Sequence, residues 1–213
     1  MSKELQIAKQ GNLPANISPT TLTQYGDGGV QIAQVANLSH NVTYIIAGAP
    51  VGIHGQPKTS VTINTDCYNL FVMGGEEFDR DHFLVPKDRA LTESTSPEMK
   101  EKYALLDETA IEELKKFPAI FASENEMYGK TTAEQLAIYG LIRDIKVQDN
   151  GIKVCFYPLT YIPQQRLNEL CFELGISKAS GYNEFNRTHW ALKRINLIEA
   201  LTDAGISVLA PTI

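Results

Sequence analysis

The most regular alternation of apolar and polar positions in the chain runs from Leu141 to Tyr157. Leu141, Arg143, Ile145 and Val147 alternate with Ile142, Asp144, Lys146 and Gln148; Asp149-Asn150-Gly151 intervenes, and Ile152, Val154 and Phe156 then alternate with Lys153, Cys155 and Tyr157. A period of two returns strand side chains to one face, and Asn-Gly between two such runs suits a tight turn whose central residues both need positive φ. The pattern predicts a β-hairpin. A weaker alternation follows the turn cluster Gly26-Asp27-Gly28-Gly29, where Val30 and Ile32 interleave with Gln31, Ala33 and Val35 before Val42-Thr43-Tyr44-Ile45-Ile46 resumes after Asn41. It predicts a second hairpin. Small Ala33 and Ala36 and polar Gln31 and Gln34 leave that hairpin thin, so it needs the main domain or another subunit to pack on.

Further strands are expected at Ser60 to Asn64, Cys67 to Met73 and Ala119 to Ala122, with a closing strand at Ile206 to Leu209. Thr95-Ser96-Pro97-Glu98 is a helix start for a segment reaching Tyr103, because a hydroxyl caps free N–H groups and proline suits the first turn. Asp107 opens a second helix that Pro118 stops, and Pro163 opens a third, Gln164 to Leu174, ended by Gly175. The spacing of Leu192, Ile195, Ile198 and Leu201, with Leu197 alongside, predicts a final helix from Thr188 to Ala204. Within the first hairpin region Pro158 reads as the end of a strand.

Punctuation divides the chain. Residues 1–21, with Pro14 and Pro19, read as a flexible leader; 22–59 as an N-terminal β-hairpin arm with a Gly/Pro-rich linker; and 60–213 as the main domain. The expected fold class is α+β: a mainly antiparallel, β-barrel-like core with three or four flanking helices and the hairpin arm.

Composition narrows the function classes. A net charge of −6 on 213 residues, with pI near 5.3, gives no general attraction to phosphate backbones, so nucleic-acid binding requires a local basic patch. No window approaches a membrane span and no apolar signal opens the chain, from which a cytoplasmic protein is expected. Cys67, Cys155 and Cys171 have neither zinc-ligand spacing nor an even count, and read as reduced, buried thiols. No cofactor and no metal is expected.

Three stretches carry candidate chemistry. Glu76-Glu77-Phe78-Asp79-Arg80-Asp81-His82 gathers acids and a histidine, and reads either as a metal or acid–base site or as a solvated loop. The polar loop from Ser123 to Thr132 offers Tyr128 and Lys130; its Gly129-Lys130-Thr131-Thr132 echoes a phosphate-binding loop but lacks the first glycine. Asn186-Arg187-Thr188-His189-Trp190 opens the last expected helix, with Arg187 to hold an anion, His189 to move a proton and Trp190 to stack. The structural alternative makes Trp190 core and lets His189 and Arg187 satisfy local carbonyls or carboxylates. Arg143, on the central strand, joins the ligand-binding set if the barrel opens on its side.

The phrase Tyr139-Gly140-Leu141-Ile142-Arg143-Asp144-Ile145 and the hairpin that follows make residues 117–157 similar to small β-barrel modules of the PUA-like or OB-like kind, without their basic and aromatic surface. Gly26-Asp27-Gly28-Gly29-Val30-Gln31-Ile32-Ala33-Gln34-Val35 resembles short β leaders of bacterial and phage conflict-system proteins. The two together imply a non-enzymatic binding protein that self-associates or docks a protein partner through residues 22–47, in a setting of bacterial or phage defence. An alternative is a nucleotide or nucleic-acid reader using the 123–132 loop and the Arg187 to Trp190 segment. A metal-dependent hydrolase built on Glu76, Asp79, Asp81 and His82 is the third.

Overall fold

The structure is a computed structural model and describes residues 22–24, 31–35, 41–47, 59–92, 94–179 and 181–208. Four antiparallel strands come first, β1 (Leu22–Gln24), β2 (Gln31–Val35), β3 (Asn41–Ala47) and β4 (Thr59–Asn64), side by side in chain order. The expected N-terminal hairpin is β2 with β3, in which Ile32 stands opposite Ile46 and Val35 opposite Thr43. β1 and β4 extend it into a meander, so the strand expected at Ser60 pairs backwards with β3. The leader 1–21 and the linker residues 48–58 lie outside the described residues.

Next come β5 (Tyr68–Met73), β6 (His82–Val85), α1 (Pro97–Tyr103), α2 (Glu108–Leu114), β7 (Pro118–Ser123), β8 (Leu136–Gln148), β9 (Gly151–Pro163) and α3 (Gln164–Glu169). A two-stranded ribbon, β10 (Lys178–Ala179) with β11 (Tyr182–Asn183), precedes β12 (His189–Lys193) and α4 (Leu197–Asp203). The large strands form one six-stranded sheet in the order β12-β5-β7-β8-β9-β6. Only β5 and β7 run parallel, joined by a crossover that contains β6, α1 and α2.

The α+β class and the four α-helices agree with the sequence reading, and the barrel does not: β12 and β6 are the two edges of an open sheet. The reason lies in which faces are buried. Leu70, Val72, Ile120 and Ala122 pack with Leu167, Leu174, Leu197 and Leu201 on one face. Phe71, Met73, Phe121 and Trp190 pack with Met99, Tyr103, Ala110 and Leu114 on the other. Helices therefore cover both sides, and strands buried on both sides lose alternation, as all six buried residues of β5 show. The period-two pattern that suggested a barrel comes from the outer half of the hairpin, where β8 is exposed from Lys146 on while Ile152, Val154 and Phe156 of β9 stay in the core; nearer the sheet centre β8 is buried without a break from Ala137 to Ile142.

The hairpin itself is longer than its alternating part. Gln148 pairs with Gly151 across a two-residue turn, and the ladder continues back to Leu136 opposite Pro163. Pro158 does not end β9, because it faces Gly140 where the register shifts. A Cβ at Gly140 would collide with the Tyr157 carbonyl oxygen and the Phe121 ring, so the bulge requires glycine there.

The helix starts hold as expected, Ser96 accepting from Met99 N and Asp107 from Ala110 N. α3 is shorter than expected, its last regular residue being Glu169, with turns carrying the chain to Gly175 at φ +62°. The largest correction is at the C-terminal end. His189–Lys193, expected to open a helix, is a fully buried edge strand on β5, and the helix begins only at Leu197, capped by Asn196. The stripe that suggested one helix is split between faces, with Leu192 on the aromatic side and Ile198 and Leu201 on the other. Residues 206–208 form no strand, and Leu209 lies outside the described residues.

Candidate functional site: the loop end of the sheet

Topology creates the site. Because β5 and β7 are parallel, with Met73 opposite Ser123, both strands deliver their outgoing loops to the same end of the sheet. Antiparallel β12 enters from that end, His189 opposite Val72, and α3 starts there as β9 finishes opposite Leu136. The loop after Gly74, the 123–132 loop, the segment 183–188 and the first turn of α3 therefore meet.

Short hydrogen bonds lock them. Gly74 N donates to the Thr188 hydroxyl oxygen at 2.8 Å, and that hydroxyl donates to Glu124 Oε1 at 2.6 Å. Ser123 Oγ donates to the Glu76 carbonyl at 2.6 Å, and Asn125 N to the Phe185 carbonyl at 2.7 Å. Asn186 staples the Met127–Lys130 turn by accepting from Gly129 N at 2.8 Å and donating to the Met127 carbonyl at 2.7 Å. Gly129 has φ +64°, and a Cβ there would strike the Gly181 carbonyl oxygen, so the turn sits hard against the β10–β11 ribbon.

Two buried polar clusters support this end. Asn125 and Asn168 exchange a reciprocal pair of amide bonds, each 2.9 Å, while Asn183 Nδ2 donates to Asn168 Oδ1 and Gln164 Nε2 donates to Asn125 Oδ1. The second cluster is ionic. Glu184, only 4% exposed, accepts from Lys193 Nζ at 2.7 Å and from Ser177 N at 2.6 Å through Oε1, and meets His189 Nε2 at 3.3 Å through Oε2. Burial pushes the Glu184 carboxyl up, but the His189 hydrogen bond, Lys193 and the Ser177 N–H outweigh it and hold the group down at about 2. His189 Nδ1 lies 2.9 Å from the Arg187 carbonyl, so both of its ring nitrogens face acceptors, and both contacts are hydrogen bonds when the ring carries two protons.

The sequence-predicted site residues divide three ways. Tyr128, Lys130 and Arg187 lie on segments that Asn186 joins at this end, with Tyr128 79% exposed and its ring 6.2 Å from that of Tyr182. His189 and Trp190 belong to the interior: Trp190 is wholly buried, stacks on Phe71 at 5.1 Å and donates its indole N–H to Asn69. Neither presents a surface to a ligand. Arg143 lies apart from them, beside Asp81 just before β6. Its guanidinium bonds Asp81 at 2.6 Å and stands 5.6 Å from the Tyr157 ring centre, and the hydrogen bonds from His82 and Arg143 hold Asp81 down at about 2.

Asp81 is thus shared by His82 and Arg143, while Glu76 accepts from Phe78 N. A half-open groove of about 360 Å3 lies along this stretch, lined by Glu76, Glu77, Asp79, Arg80 and His82. Among the described residues no three His, Cys, Asp or Glu side chains are grouped to hold a metal ion.

Six residues that position the site were not singled out from the sequence: Glu124, Asn125, Asn168, Asn183, Glu184 and Lys193. One local signal existed, since Asn183 and Asn186 form a capping box on a short 3-10 turn. The other partners are too far apart in sequence to be paired by spacing. The chain matches no family model, no curated protein and no solved structure.

Proposed function

We propose that the protein is a non-enzymatic binding protein that self-associates, or docks a protein partner, through its N-terminal β meander. The supporting observation is that β1 to β4 form a sheet of their own, sharing no strand with the six-stranded sheet, so β1 and β4 are both edges. A sheet with two edge strands gains from pairing with another chain, which can satisfy edge N–H and C=O groups; at the end of β4 one of them, the Asn64 N–H, already donates to the Lys116 carbonyl. The resemblance of Gly26 to Val35 to β leaders of conflict-system proteins supports a role in bacterial or phage defence. Sedimentation of the full chain tests it. Tyr44→Pro removes a ladder N–H from central strand β3 and is expected to lower the assembled mass while the far-UV spectrum of the main domain persists. An unchanged mass overturns the self-association reading.

A second reading, a nucleotide or nucleic-acid reader, is favoured by the meeting of the segments that carry Tyr128, Lys130 and Arg187 at one end of the sheet. Charge opposes it. Glu76, Glu77, Asp79, Glu124 and Glu126 lie on the same loops, and an acidic surround repels phosphates. Titration of labelled single-stranded and duplex oligonucleotides at low salt decides this, since absence of binding there removes the reading.

A further inference from the structure

Away from the loop end, a pocket of about 480 Å3 lies between the β4–β5 connection, α1, α2 and the start of β7. Its floor is apolar. Cys67, Met99, Tyr103 and Phe117 border it and are each less than a tenth exposed. Its rim is cationic in excess: Lys102, Lys116 and Arg194 stand against Asp66 and Glu113. Glu113 is already committed, because its Oε2 accepts from Lys102 Nζ at 2.6 Å and from the Tyr103 hydroxyl at 2.8 Å. The Lys102 hydrogen bond lowers Glu113, and the Glu113 hydrogen bond raises Lys102, so the two charges persist as a cancelled pair.

What remains is Lys116 and Arg194 facing Asp66. Among the described residues Arg194 pairs with Glu98, at 3.9 Å between largely exposed side chains, a contact of little strength. In a chain of net charge −6, an aromatic-floored cavity with spare positive charge at its rim is chemically distinctive. Cys67 is not a nucleophile here: burial pushes its thiol up despite Arg194, so it serves as floor.

We propose that this pocket binds a small monoanion with an apolar body, its carboxylate, sulfonate or phosphate-type head between Lys116 and Arg194 and its body on Met99 and Phe117. The arrangement sets an apolar floor beneath a charged rim, the floor to receive an apolar body and the rim cations to fix the orientation of an anionic head. It is independent of whether the chain self-associates.

The full-length protein is titrated with 8-anilinonaphthalene-1-sulfonate and, in parallel, with N-phenyl-1-naphthylamine, which has the same rings and no charge. Expected are saturable one-site binding of the sulfonate and weaker binding of the neutral probe. Arg194→Glu and Lys116→Glu are each expected to weaken the sulfonate about tenfold, a contact of roughly one charge. Arg194→Lys retains binding, and Lys146→Glu on the exposed outer part of β8, away from the pocket, leaves it unchanged. Far-UV spectra check that each variant is folded. The proposal is overturned if the sulfonate does not saturate, if its binding survives both charge reversals, or if the neutral probe binds as tightly.

Discussion

Two regions of this protein, one on a face of the sheet and one at its loop end, are built from opposite materials. On one face of the sheet Phe71, Phe78, Phe83, Phe121, Phe156 and Trp190 form a ring cluster with centroids 4.5 to 6.2 Å apart, whose single polar atom, the Trp190 N–H, is satisfied by Asn69. At the loop end the interior consists of Asn125, Asn168, Asn183, Gln164, Glu184, His189 and Lys193, joined by hydrogen bonds and ion pairs. Apolar packing is largely non-directional and stabilises many similar arrangements, whereas buried polar groups tolerate only the arrangement that satisfies them. The ring cluster therefore holds the sheet together, and the polar end decides where the loops stand.

Substitutions separate the two roles. Phe121→Ala, in the middle of the ring cluster, is expected to have the largest effect, about 4 kcal/mol of unfolding free energy by denaturant titration. The loop end should keep its native pattern in whatever remains folded. Glu184→Gln leaves Lys193 buried without a counter-charge and is expected to cost about 3 kcal/mol. If the cost were near zero, the ionic cluster would not be the support it is taken to be here.

Acid titration gives the same cluster an independent reading. Glu184 falls from the ordinary 4.5 to about 2 on folding, so its contribution is fully present above about 4.5 and is lost as pH falls toward 2. The wild type is accordingly expected to lose stability more steeply over that interval than Glu184→Gln, measured by denaturation midpoints at successive pH values. Asn183→Ala removes the bond to Asn168 and the cap of the 3-10 turn, with an expected loss of about 2 kcal/mol. Tyr128→Ala, at an exposed tip, should change stability by less than about 0.5 kcal/mol. Asn186→Ala is expected to speed hydrogen exchange at the Gly129 amide while leaving Phe121 unaffected, and equal protection in both would erase the distinction between the regions.

Legibility follows the range of the interaction. The place of the β8–β9 turn, though not its type since Asp149 and Asn150 are not at positive φ, the caps at Ser96 and Asp107 and the Gly175 stop are all decided within a few residues, and each is readable in the chain. His189 to Lys193 was misread because a segment buried on both faces carries no period, and its neighbours happened to continue a helical spacing. The polar site was harder still. Asn125 meets Asn168 and Asn183, 43 and 58 residues away, and no local pattern encodes such a meeting.

The sequence by itself determined the class of the protein, its helix starts, its central hairpin and the residue types of its exposed loops. These depend on backbone preference and on the spacing of neighbouring side chains. Only the tertiary structure decided that the sheet is open, that Trp190 is core, that Arg143 serves Asp81, and that the loops after β5 and β7 meet. Strand order set those outcomes. A single parallel pair among antiparallel strands sent two loops to one end of the sheet, and buried amides and charges far apart in the chain then found their partners there.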